Sequence, residues 1–379
     1  MTPPAAPPPA APPRSAEPPP SATAHGVYVH IPFCAKRCDY CAFATFTDRA
    51  HLIDAYLDAL VCDVERAVAA GMPRATSVFV GGGTPTLVPA EGLARVVRAI
   101  PVAPGAEVTV ECNPDDVTPA LMATYAAAGV GRVSIGVQST VAHVLASLGR
   151  AHGPAAVAPA VRAARAAGID RINLDVIYGA AGESLDDWRR TLDDVVALGP
   201  SHVSAYGLTV EAGTPLALEP ARHPDDDDQA DKYDLADEVL GAAGLINYEI
   251  SNWARPGQEC RHNLTYWRQG NYDGFGSAAH SHRDGRRWWN VRTPERYVEL
   301  VAAGRSAESA GETLDASTRR LEGLQLRLRM REGVPTSAFV PEDLAEMDGE
   351  GLVAVRDGRA TLTRPGRRLA NAVALRLRA

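Results

Sequence analysis

Three cysteines stand within eight residues in the segment Tyr28-Val-His-Ile-Pro-Phe-Cys34-Ala-Lys-Arg-Cys38-Asp-Tyr-Cys41. Thiolates separated by three and then two residues can wrap one small metal centre. Zinc is one reading. Structural zinc closes its tetrahedron with four protein ligands, usually in paired C-x-x-C units. No second pair follows here, so His30 or His51 would have to supply the fourth ligand at an unusual spacing. Iron–sulfur cubes also commonly take four cysteines. A cube held by three leaves one iron open to an exogenous ligand.

The spacing, with aromatic Tyr40 just before the third cysteine, resembles the radical S-adenosylmethionine (SAM) motif. That resemblance implies a [4Fe–4S] cluster on Cys34, Cys38 and Cys41, with SAM at the open iron. Gly81-Gly82-Gly83-Thr84-Pro85-Thr86 then has a role to match. Glycines let backbone approach a ligand closely, and this loop resembles the radical-SAM element that meets the amino group of SAM. Glu111, Gln138, Arg150 and Asp175 fall near expected strand ends. Each is equally readable as a satisfied structural polar group, but their shared placement favours a site. Glu111 and Asp175 are suited to accept hydrogen bonds from ribose hydroxyls, and Arg150 to pair with the methionine carboxylate of SAM.

These residues need a scaffold that brings strand ends together. From residue 26 to about 210, short β-branched runs alternate with Ala/Leu-rich helical stretches. Strands are expected at Gly26–Ile31, Ser77–Val80, Glu107–Glu111, Arg132–Val137, Arg171–Ile177 and His202–Leu208. Helices are expected at Asp48–Ala69, Gly92–Ile100, Pro154–Ala167 and Leu185–Leu198. Ser77–Val80 reads as apolar on both faces, as in a covered parallel sheet. The alternation implies an α/β fold with a parallel sheet, and the resemblance makes the expected fold a partial (β/α) barrel of the radical SAM type with a smaller C-terminal α+β domain. A doubly wound open sheet shows the same alternation. The cysteine loop follows the first strand, which puts it at the face where barrel enzymes do chemistry.

The expected organisation is a disordered Pro/Ala-rich tail over 1–24, a barrel over 25–225, and a barrel extension over 226–293. A small helical, winged-helix-like domain over 294–379 follows. Asp225–Asp228 should open a helix, where negative charge suits the helix dipole. Tyr248 to Trp289 is rich in aromatics and histidines. Arg356-Asp357-Gly358-Arg359 carries an Asp-Gly hairpin turn. Cys62, Cys112 and Cys260 are expected in the core.

The motifs together resemble the oxygen-independent coproporphyrinogen III oxidase family over roughly residues 26–300. The match includes Tyr-Val-His-Ile-Pro-Phe-Cys, Gly-Gly-Gly-Thr-Pro-Thr, Ser-Ile-Gly-Val-Gln-Ser and Asn-Leu-Asp-Val-Ile-Tyr-Gly. Carried over, the family's SAM contacts fall on Tyr28, Tyr40, Gly82, Gly83, Thr84, Glu111, Gln138, Arg150, Asp175 and Gly207. Two departures stand out. The oxidases carry one more cysteine after the triplet, where this chain has Phe43, and they carry a folded N-terminal extension. Both departures point to the haem chaperone branch, and His262-Asn-Leu-Thr-Tyr266-Trp267 resembles that branch's His-Asn-x-x-Tyr-Trp signature. The resemblance makes His262, with Tyr266 and Trp267, the haem-site residues. A histidine can ligate haem iron and aromatics can cover a macrocycle. A histidine beside Tyr and Trp is also the signature of a hydrogen-bonded packing residue. His280 and His282 are rival ligands.

The expected function is a haem chaperone that carries haem to acceptor proteins and lacks coproporphyrinogen oxidase activity. The alternative is the oxidase of porphyrin biosynthesis, which decarboxylates propionates by radical SAM chemistry. A third reading is another radical-SAM activity on a different tetrapyrrole. The net charge of −8 disfavours nucleic acid as a partner. A hydrophobic fraction of 46% with 22% charged residues is that of a globular protein. No run is apolar enough to span a membrane, which leaves peripheral membrane contact open. The Pro/Ala-rich start lacks the apolar stretch of an export signal. Clustered and scattered cysteines suit a reducing cytoplasm.

Overall fold

The computed structural model describes residues 24–378. The tail expected over 1–24 lies outside them apart from Ala24. Six β/α units come first: β1 (His25–Ile31) and α1 (Ile53–Ala69), β2 (Ala75–Gly82) and α2 (Ala90–Ala99), β3 (Val102–Cys112) and α3 (Pro119–Ala127). They continue with β4 (Arg132–Gln138), α4 (Ala142–Ser147) and α5 (Val157–Ala166), β5 (Arg171–Tyr178) and α6 (Leu185–Ala197), then β6 (His202–Gly207) and α7 (Asp226–Ala242). All six expected strands form. Strands β1 to β6 pair in parallel and in chain order. A doubly wound sheet reverses its order at a switch point. The unbroken order is that of a partial (β/α) barrel.

Side chains alternate between the two faces of a strand. One face supplies Val27, Val29, Ile31, Val78, Val80, Val110, Ile135, Leu174 and Val203 to a core shared with Tyr56, Leu60, Leu93 and Leu192 of the helices. Each such buried aliphatic side chain contributes about 1.5–3 kcal/mol. The other face is largely polar: Glu107, Thr109, Arg132, Ser134, Asn173, His202 and Ser204 are all buried there. Ser77–Val80 is therefore not apolar on both faces. Val78 and Val80 pack outward, whereas Ser77 Oγ lies 3.1 Å from His262 Nδ1.

The chain then widens the sheet with β7 (Ile246–Glu249) and β8 (Asn252–Ala254), crosses through α8 (Arg261–Trp267), and adds β9 (Asn271–Phe275), β10 (His280–Arg283) and β11 (Arg286–Asn290). After α9 (Pro294–Ala302), β12 (Glu308–Thr313) completes a sheet of 12 strands. β9 joins β1 in parallel. The acidic run does open a helix: Asp225 caps α7 by accepting from the Asp228 amide at 2.9 Å.

The C-terminal part contains α10 (Ala316–Leu328), β13 (Val334–Pro335), α11 (Pro341–Gly349), β14 (Val353–Arg356), β15 (Arg359–Leu362), α12 (Arg364–Arg368) and α13 (Ala370–Arg376). Its separate core includes Leu328, Phe339, Met347 and Val373. Asp357 and Gly358 have φ of 52° and 70°, the two left-handed residues of a tight hairpin. This second core starts later than residue 294. Tyr297 and Val301 of α9 pack into the large core, and β12 pairs with β11, because both elements bury their apolar side chains against the main sheet or extend its edge.

Cys112 and Cys260 are buried, but Cys62 is exposed. α1 buries the stripe of Tyr56, Leu57, Leu60 and Val64, which turns Cys62 to its outer face.

Candidate metal centre

The cysteine loop leaves the C-terminal end of β1 and is pinned to the glycine loop after β2. The Gly83 amide donates to Ile31 O at 2.7 Å, and the Thr84 amide donates to Phe33 O at 2.8 Å. Farther along the loop, the Cys34 amide donates to Phe46 O at 3.1 Å. A Cβ on Gly83 would stand 2.6 Å from Phe33 O and 3.0 Å from Cys34 Sγ, so only glycine permits this approach. Gly82 adopts φ 112°, a left-handed conformation.

A cavity of about 590 Å³ opens above these loops. Cys34, Cys38, Tyr40, Cys41, Gly82, Gly83, Thr84, Glu111, Gln138, Arg150, Asp175 and Gly207 all reach its wall. Residues scattered over more than 170 positions thus meet at one end of the sheet, because β1 to β6 run parallel and end together. Gln138 is held at φ 62° beside a register shift at Gly136/Gln138. Non-glycine residues rarely adopt this conformation, and where they do it often marks a functional site.

Three thiols are the donors available for a cluster. Thr84 Oγ1 donates to Cys34 Sγ at 3.5 Å, and Arg150 Nη1 donates to Cys38 Sγ at 3.3 Å. Burial pushes the Cys34 and Cys41 thiols above the usual range. Cys112 also reaches the wall, but its thiol turns to Val110 O at 3.6 Å within the core. Among the described residues, no three His, Cys, Asp or Glu side chains converge on a single-ion site. Three spread thiolates in a cavity fit a cube, where each thiolate meets a different iron, better than a closed zinc tetrahedron.

The carboxylates sit deeper. Glu111 Oε2 accepts from the Gly82 amide at 3.1 Å. Asp175 accepts from Ser134 Oγ at 2.8 Å and Asn173 Nδ2 at 2.7 Å. Burial, then the neighbouring Asp175 charge, lifts the Glu111 carboxyl to about 8. Burial raises Asp175 as well, against its hydrogen bonds. Asn173 Oδ1 is in turn 2.6 Å from His202 Nδ1, and His202 Nε2 is 2.9 Å from the Tyr248 hydroxyl. This buried chain fixes the orientation of Asp175. Asn113, Ser134, Tyr206 and Ser251 also line the cavity and were not singled out from the sequence. The period-two phase of β4 and β6 would have found Ser134 and Tyr206.

Tyr28 does not join the cavity wall. Its hydroxyl is 3.0 Å from His30 Nδ1, and His30 Nε2 bonds Ala44 O at 2.9 Å, so Tyr28 braces the cysteine loop from below. His262, Tyr266 and Trp267 do not join it either. Their helix α8 docks at the opposite end of the strands, where Arg261 N donates to Glu107 Oε1 at 2.9 Å. His262 is 1% exposed, with Nδ1 bonded to Ser77 and Nε2 2.7 Å from the Tyr266 hydroxyl. Burial drives it down to about 3, a neutral ring. Both ring nitrogens are engaged, so this conformation offers iron no free lone pair. Trp267 lies against Glu249.

Residues 28–195 match the Radical SAM superfamily. The chain is 44% identical over 364 residues to the haem chaperone HemW of Mycobacterium tuberculosis, covering 92% of this chain and 93% of that one. It is 36% identical to the haem chaperone HemW of Escherichia coli, covering 83% and 85%. HemW of Bacillus subtilis is 32% identical over 91% and 97%. Among solved structures, coproporphyrinogen III oxidase (HemN) from Escherichia coli superposes with a TM-score of 0.82 at 23% identity, covering 93% of this chain and 90% of that one. That likeness shows the radical SAM fold.

Proposed function

This chain belongs to the haem chaperone HemW family of radical SAM proteins, and from that premise we propose that it binds haem and passes it to acceptor proteins. A [4Fe–4S] cluster bound in the cavity would supply one open iron to SAM. Cys34, Cys38 and Cys41 would hold the cluster as thiolates. Gly82, Gly83 and Thr84 would present backbone to the SAM amino group. Glu111 and Asp175 would accept from ribose hydroxyls, and Arg150 would bond the methionine carboxylate. Tyr40, Gln138 and Gly207 would complete the wall.

Phe43 is the observation that favours a chaperone over an oxidase. It reaches the cavity and is 66% exposed, at the position where the oxidases carry a further cysteine. Its ring offers an apolar surface and no proton, electron or metal-binding pair. Among the described residues, no helix is long and apolar enough to cross a membrane.

The test is an anaerobic comparison on the reconstituted full chain. One sample is titrated with haem and followed by absorbance, then mixed with an apo-acceptor. A second receives coproporphyrinogen III, SAM and a reductant. Stoichiometric haem binding, transfer and no decarboxylation are expected. Decarboxylation with SAM turnover would overturn the reading in favour of the oxidase.

A further inference from the structure

Three histidines lie in the aromatic segment 248–289, and their ring nitrogens differ in what they meet. His262 uses both, as described. His282 is buried, with Nδ1 2.9 Å from Gly270 O and Nε2 accepting from the Gly285 amide at 3.1 Å. His280 is exposed, and among the described residues neither of its nitrogens has a hydrogen-bond partner. Its ring stacks on Trp289, with centroids 5.6 Å apart and planes 27° from parallel. The pairing of His280 with Trp289 across β10 and β11 holds both rings on one face.

We propose that His280 is the axial ligand to haem iron, with the macrocycle laid on the open face that His280 and Trp289 share. The assignment rests on the haem-binding reading above. Iron needs a free imidazole lone pair, and of the segment's three histidines only His280 presents one. The turn before it is rigidly built. Gly276 has φ 99° and Ala278 φ 57°, and the Ala278 amide donates to Val291 O at 2.8 Å. Asn290 Nδ2 donates to Gly276 O at 2.9 Å. A left-handed alanine is costly and persists only where its surroundings hold it, so His280 is presented on a fixed support.

The hairpin also suits a macrocycle that carries carboxylates. Arg287, paired with His282 and two residues before Trp289 on β11, shares that face in a chain of net charge −8. It is paired with the partly exposed Glu312 and Glu322. Surface pairs contribute only about 0–1 kcal/mol, so a ligand carboxylate can compete for Arg287. An open site with one side-chain ligand also suits cargo that must leave again.

The experiment titrates the full chain and its His280→Ala, His262→Ala and His282→Ala variants with ferric haem. Absorbance and electron paramagnetic resonance are recorded, with and without added imidazole. His280→Ala is expected to lose the histidine-ligated spectrum and weaken binding at least about tenfold, and imidazole should restore the spectrum. His262→Ala and His282→Ala should keep the spectrum wherever they fold. An unchanged spectrum in His280→Ala overturns the ligand assignment while leaving haem binding intact. Failure of the unsubstituted chain to bind haem overturns the haem-binding reading itself.

Discussion

Arg150 and Cys38 are joined by a hydrogen bond of 3.3 Å from guanidinium to sulfur, and the same guanidinium donates to Asn113 Oδ1 at 3.0 Å. Arg150 comes from the loop after α4 and Cys38 from the loop after β1. One side chain therefore touches both the proposed cluster ligand and the space proposed for SAM. Replacing Arg150 by Ala should weaken SAM binding to the cluster-loaded protein by about 10- to 100-fold. That matches about 1.5–3 kcal/mol for a hydrogen bond to a charged group. Anaerobic equilibrium dialysis measures it, and an unchanged affinity would remove Arg150 from the SAM site.

Each of Cys34→Ala, Cys38→Ala and Cys41→Ala should abolish the visible absorbance of the reconstituted cluster and lower its iron content. Cys112→Ala should leave both unchanged, because its thiol faces Val110 O in the core. A variant of the triplet that still carried a full cluster would mean that a different residue is the ligand.

Gly83→Ala should destabilise the chain by about 1–3 kcal/mol, the usual cost of overpacking. Its new Cβ would meet Phe33 O at 2.6 Å and Ile31 O at 2.9 Å, and backbone cannot swing aside as a flexible side chain can. Urea denaturation checks this. The loss of stability should be accompanied by poorer cluster retention, since Cys34 Sγ lies 3.0 Å from the same point.

Glu111 gives a pH dependence with a definite sign. Its carboxyl is lifted from 4.5 to about 8 by burial and by Asp175. Between those values the folded chain holds a proton that the unfolded chain has released, so stability falls as pH rises through this window. Asp175 is raised too and acts in the same direction. Glu111→Gln cannot ionise, and its melting temperature should fall less between about pH 5 and 8 than that of the unsubstituted chain. Differential scanning fluorimetry of the SAM-free protein decides it. Parallel melting profiles would show that Glu111 is ionised at neutral pH.

Much of the site was legible in the primary structure because it depends on local spacing. Cys34, Cys38 and Cys41 lie in one loop, and Gly82, Gly83 and Thr84 in another, so residue type and position identify them without distant partners. The strand ends Glu111, Gln138 and Asp175 were legible because parallel strands of similar length end on one face. The Asp357-Gly358 turn was legible because only such pairs accept two left-handed residues cheaply. The tertiary structure decided what depends on contacts distant in the chain. It chose a barrel order over a doubly wound one, since alternation is identical in both and only strand pairing differs. It assigned α9 and β12 to the main sheet, which no local pattern encodes. It turned Cys62 outward through the phase of the α1 stripe. Above all it separated the histidines. In the primary structure a resemblance singles out His262, but residue type alone does not separate it from His280 and His282, imidazoles among the same aromatics. Whether a ring nitrogen is free depends on Ser77 from β2 and on Tyr266, Gly270 and Gly285, which only the folded chain places within 3.1 Å of them.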